Sequence, residues 1–120
     1  MAMTLSEQPM LMSTGLIYEE RYTDAELDSI TEQGLIYMCA CPAQVAYTLR
    51  KLRSLLQYQL QCSVDPKNDA LVHAAIARST IQSHQIMQDC LDTVIALEKW
   101  DRTTLKMPEG LRQRQLQEVL

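Results

Sequence analysis

The sequence predicts an all-α fold: a small helical bundle centred on a long antiparallel helical hairpin and completed by oligomerisation. Three observations lead there. Apolar residues make up 47% of the 120 positions, yet there is no Phe and one Trp, so a core must come from Leu, Ile, Val, Ala and Met, a composition that leans to helix. Long stretches carry apolar residues at three- and four-residue spacing. Thr23, Pro42 and Pro66 each stand where a helix would start, which divides the pattern into three. The length fits one domain that folds without a metal or disulfides as an obligatory staple.

Residues 1–22 read as a flexible N-terminal tail and a short extended arm. Met1, Met3, Met10 and Met12 lie among Ser, Thr, Gln and Pro9 with no regular period. Gly15-Leu16-Ile17-Tyr18 then opens a run through Tyr22, an arm suited to packing on a neighbouring subunit. The same four letters recur as Gly34-Leu35-Ile36-Tyr37, a match too short to make a repeat.

Residues 23–107 form the helical core domain. Its first helix starts at Thr23, because Thr23-Asp24-Ala25-Glu26 has capping-box spacing, in which hydroxyl and carboxylate each meet the other residue's N–H. Leu27, Ile30, Gly34 and Met38 follow at helical spacing, and Gly34 leaves room for another backbone. The residue before Pro42 is pushed out of the α region, so this helix stops near Cys39 to Cys41. Pro42 suits the first turn of helix two. On that helix Val45, Leu49, Leu52, Leu56 and Leu60 share a face, with Leu55 at its edge, and Arg50, Arg53, Gln57 and Gln61 form a polar flank.

Helix three follows a turn at Ser63-Val64-Asp65-Pro66. Its expected core stripe is Val72, Ile76, Ile86, Cys90, Val94 and Leu97, interrupted by the small residues Ser79 and Ser83; Ala77, Leu91 and Ile95 make a second stripe. His84 reads as a flank residue. Beyond Trp100-Asp101 the pattern weakens, and residues 108–120 read as a short C-terminal helix or tail.

The functional signals are few. A net charge of −4 without charged blocks argues against nucleic acid and anionic membrane as partners, both of which require concentrated Lys and Arg. The first twenty residues lack the basic and apolar regions of a secretory signal, and no segment has the length and apolarity of a membrane span, so the chain reads as cytoplasmic with reduced cysteines. The hairpin register brings Cys39 and Cys41 level with Cys90. That thiol group, with Met87 or His84, could hold a soft metal ion such as Cu or Zn, or serve as a redox pair with Cys41 activated at a helix start. Against it stands the ordinary role of Cys as a small core residue.

No cofactor is required by the sequence, and no catalytic residues stand out: there is no phosphate loop, nucleophile elbow or helical Glu-x-x-His pair. Tyr47, Lys51 and Tyr58 project from helix two on the side away from its leucines and mark an interface. The sequence therefore favours a non-enzymatic helical interaction or regulatory module that self-associates or meets a protein partner. A thiol redox or soft-metal sensor is the alternative.

Overall fold

The computed structural model describes residues 18–37, 41–63 and 70–108. Among them the regular structure is helical throughout: α1 (Asp24–Tyr37), α2 (Cys41–Ser63) and α3 (Ala70–Leu97). The N-terminal tail to residue 17, Met38, Cys39, the turn from Val64 to Pro66 and the expected last helix lie outside the described residues. Among the described residues no helix is long and apolar enough to cross a membrane.

α1 begins as its capping box requires. The Thr23 backbone N–H donates to Glu26 Oε1 at 2.8 Å, and the Glu26 N–H donates to Thr23 Oγ1 at 3.0 Å. Two of the helix's orphan donors are thus satisfied reciprocally. Leu27 and Ile30 are fully buried one turn apart. Gly34 meets α2 so closely that a Cβ placed on it would lie 2.7 Å from the Cβ of Ala43. A methyl carbon has no freedom to retreat, so the approach of α1 to α2 depends on the missing side chain.

The contacts gather into two compact units, with α2 and α3 each contributing to both. In residues 21–50 and 87–108, Tyr22, Leu27, Ile30, Ala46, Leu49, Leu91 and Ile95 share one apolar core, closed by Trp100, Leu105 and Met107. Tyr22 belongs to the stretch expected as an arm on a neighbouring subunit, and here it packs on its own chain. Its hydroxyl donates to Asp92 Oδ1 at 2.5 Å, and the Arg102 guanidinium lies 4.2 Å from its ring centre. Burial, followed by the hydrogen bond to Asp92, pushes the Tyr22 phenol well above its usual range. Arg21 pairs with Asp89 at 2.7 Å and Asp92 at 2.6 Å, and its N–H donates to Gln88 Oε1 at 2.8 Å. Because both carboxylates are substantially exposed, the ion pairs place the segment more than they stabilise it.

The chain beyond α3, where the sequence pattern fades, completes this core. Lys99 has φ 59°, its N–H donates to Ala96 O at 3.2 Å, and the Trp100 N–H donates to Ile95 O at 3.0 Å. These two bonds make a Schellman stop, and the buried Trp100 and Ile95 supply its customary apolar contact. Asp101 then caps a tight loop. Its Oδ1 accepts from the N–H groups of Thr103 and Thr104 at 2.8 and 2.9 Å, which hold its carboxyl below the usual range. Leu105, with φ 58°, is 3% exposed, so core burial offsets its left-handed backbone.

In the other unit, residues 18–20 and 51–86, Leu56, Leu60, Ala77 and Ile81 are buried with Tyr18 against them. Here the expected core stripe of helix three is corrected. Val72 is 51% exposed and Ile86 66%, and Ile76 is also at the surface; in the first unit Leu97 is exposed as well. The buried face is instead Ala77, Thr80, Ile81, His84, Gln88, Leu91 and Ile95. It contains the second predicted stripe and three polar side chains, each with a partner: Thr80 Oγ1 donates to Ile76 O, His84 accepts from Arg53, and Gln88 accepts from Arg21. Arg53, expected on a polar flank, is likewise buried.

Two substitutions test these backbone assignments in opposite directions. Gly34→Ala should lower stability by about 1–3 kcal/mol in denaturant unfolding, and Ala43→Gly in the same chain should recover much of that loss. Lys99→Gly should raise stability by about 0.5–1 kcal/mol, because glycine accepts the left-handed stop without steric cost.

Candidate functional site

α2 and α3 carry the residues on which a functional reading can rest. Within residues 18–20 and 51–86 they offer two different environments, a buried polar cluster and an exposed apolar face.

The polar cluster centres on Arg53 and His84, which are 5% and 2% exposed. Arg53 Nε donates to His84 Nε2 at 3.0 Å, while its Nη1 lies 3.7 Å from Glu20 Oε2. A guanidinium only donates, so His84 Nε2 is the acceptor and the neutral ring carries its proton on Nδ1. The Tyr18 ring lies against His84 with centroids 5.0 Å apart, and its hydroxyl donates to Glu20 Oε1 at 2.8 Å. Nearly two turns of α2 further on, Gln59 Oε1 and His73 Nδ1 are 2.7 Å apart. The cluster ties the chain before α1 to both helices, and its bonds keep buried polar atoms satisfied. The sequence reading left His84 on a flank because its partner is 31 residues away in the chain, beyond the reach of any local pattern.

The expected thiol group is only partly within the described residues. Cys41 is exposed at the first residue of α2, Cys90 is half-buried on the Ile86 side of α3, and Cys39 lies outside the described residues. Met87 packs against the apolar core of its own unit. For His84, ligation through Nε2 would require breaking the Arg53 bond, since the same lone pair serves both. Cys62 pairs instead with Tyr58, whose phenol is raised by hydrogen bonding to that thiol. Among the described residues no three His, Cys, Asp or Glu side chains are grouped to hold a metal ion.

The apolar face is the surface that sequence reasoning assigned to the interior. Along α3, Val72, Ile76, Ser79, Ser83 and Ile86 recur at alternating intervals of four and three, and all are exposed. Beside them, Leu52 and Leu55 of α2 join Ile76, Ser79 and Ser83 in lining an open groove of about 390 Å³. No lining residue is titratable. Further round α2, Tyr47, Lys51 and Tyr58, which the sequence marks as an interface, are exposed, the two tyrosines at 52% and 61%.

Truncating the polar cluster should expose its structural weight. His84→Leu should cost about 2–3 kcal/mol in thermal or denaturant unfolding, because it strands the buried Arg53 Nε–H, whereas His84→Gln, which offers an acceptor, should cost less.

Comparison of the chain with protein-family models, curated protein sequences and solved structures found no match.

Proposed function

We propose that the chain is a non-enzymatic helical interaction or regulatory module that associates with itself through its α2 and α3 surface. The observation that carries this reading is the inversion on α3. The helix buries Thr80, His84 and Gln88, each at the expense of a specific hydrogen-bond partner, and leaves Val72, Ile76 and Ile86 outside. Water-exposed apolar side chains gathered on one helix, with a groove beside them, mark a surface suited to association. Tyr47, Lys51 and Tyr58 on α2 extend it with rigid aromatic groups of the kind enriched at interfaces.

The supporting frame is an antiparallel α2–α3 hairpin. Its basis is that the pairs Arg53–His84 and Gln59–His73 run in opposite senses along the two helices.

Sedimentation or light scattering across a micromolar concentration range tests the reading. Species larger than the monomer should grow with concentration, and a chain that stays monomeric throughout would remove self-association from the proposal.

A further inference from the structure

The chain's two histidines put their ring nitrogens to opposite uses. His84 Nε2 accepts from the Arg53 Nε–H at 3.0 Å, and a guanidinium has no acceptor to offer in exchange. His73 is placed the other way round. Its Nδ1 lies 2.7 Å from Gln59 Oε1, an amide oxygen that only accepts, so here the imidazole donates. Adding a proton to His73 leaves that bond in place. Adding one to His84 removes the lone pair on which Arg53 depends and sets two cationic groups against each other.

Burial makes the difference count. His84 is 2% exposed and Arg53 5%, so water cannot replace a lost partner for either. The titratable groups that meet this pair are Tyr18 and Glu20 from the chain before α1: the Tyr18 ring centre is 5.0 Å from that of His84, and Glu20 Oε2 is 3.7 Å from Arg53 Nη1. One turn away along α3 itself, Thr80, Ile81, Met87 and Gln88 carry no charge. Glu20 favours a cation, but its side chain is 38% exposed and the distance is long, so its attraction is screened. The lost acceptor and the like charge act at closer range and out of water. We propose that His84 is an acid-sensitive latch. Neutral, it holds Arg53 and keeps Tyr18 and Glu20 seated on α2 and α3; protonated, it lets Arg53 go and releases that segment from the two helices.

In an unfolded chain an imidazole takes up its proton at about pH 6.5. Below that pH the unfolded chain and the opened latch both bind a proton that the closed cluster excludes, so acid favours them. Above it the imidazole is neutral in every form and the latch stays shut. Each pH unit below about 6.5 moves the balance toward the open form by up to about tenfold. Carboxylates titrate mainly near about pH 4, so the window between about pH 5 and about pH 7 belongs to histidine. His73 titrates in that window without losing its partner, which makes it the internal control.

Nuclear magnetic resonance of the full chain, titrated from about pH 7.5 to about pH 5, tests the latch without any substitution. The His73 ring should take up its proton first, and the contact between the Tyr18 and His84 rings should be lost as the His84 ring becomes protonated. A His84 ring that protonates before His73, or a Tyr18–His84 contact that persists at about pH 5, overturns the proposal. Denaturant unfolding gives a second readout. Over the same pH interval the unfolding equilibrium constant of the unsubstituted chain and of His73→Gln should rise about 10-fold more than that of His84→Gln, because glutamine offers Arg53 an acceptor that does not titrate. Equal pH dependence in the three chains refutes the latch as well.

Discussion

The buried face of α3 constrains everything packed around it, because Thr80, His84 and Gln88 cannot be removed from water without partners. Thr80 is satisfied within its own helix, by the carbonyl of Ile76. His84 and Gln88 need other parts of the chain. His84 fixes Arg53 of α2, and Gln88 fixes the backbone of Arg21 just before α1. Apolar packing, as in the clusters that hold Leu56 and Ile81 or Leu49 and Leu91, is compatible with several small slips of one helix along another. A donor and an acceptor are not, since a hydrogen bond weakens steeply with misalignment. The polar groups therefore choose one register from those that the leucines would allow.

The first helix was legible because its signals are local. Thr23 and Glu26 are three residues apart, and the reciprocal bonds that they form need nothing else from the chain. Gly34 was legible for a related reason, as its lack of a side chain limits what it can be used for in a helix, and Ala43 is what approaches it. In contrast, the inward side of α3 was hidden. Hydropathy placed Val72, Ile76 and Ile86 inside and gave His84 to the flank, because periodicity weighs each side chain by its own polarity. It does not register that Arg53, 31 residues earlier, cancels the cost of burying an imidazole.

The segment after α3 was hidden by a different cause. Turns are read from Gly, Pro, Asn and Asp, but among the described residues the non-glycine positions with positive φ are Lys99 and Leu105. Neither announces a reversal. Trp100, Leu105 and Met107 nevertheless close the core around Tyr22, and Asp101 organises the loop by accepting two backbone bonds. The Trp100 Nε1–H is buried without a hydrogen-bond partner among the described residues, so this aromatic is held by apolar packing and by the Schellman stop alone. Of the candidate sites, Tyr47 and Tyr58 were legible as outward-facing, whereas Cys39, Cys41 and Cys90 were linked through a register that placed Cys90 on an inward stripe. Cys90 is half-buried, Cys41 is exposed, and Cys39 lies outside the described residues.

The polar interior and the apolar exterior of α3 have one physical explanation. A helix with two apolar faces gives a folding chain two alternative ways to pack, and nothing in hydrophobicity distinguishes them. Placing Arg53 opposite His84 favours the observed inward face, because it gives a buried guanidinium an imidazole acceptor. Val72, Ile76 and Ile86 are then left on the outside in every correctly folded copy. The polar cluster thus decides which face α3 keeps for its own chain and which side chains it leaves exposed.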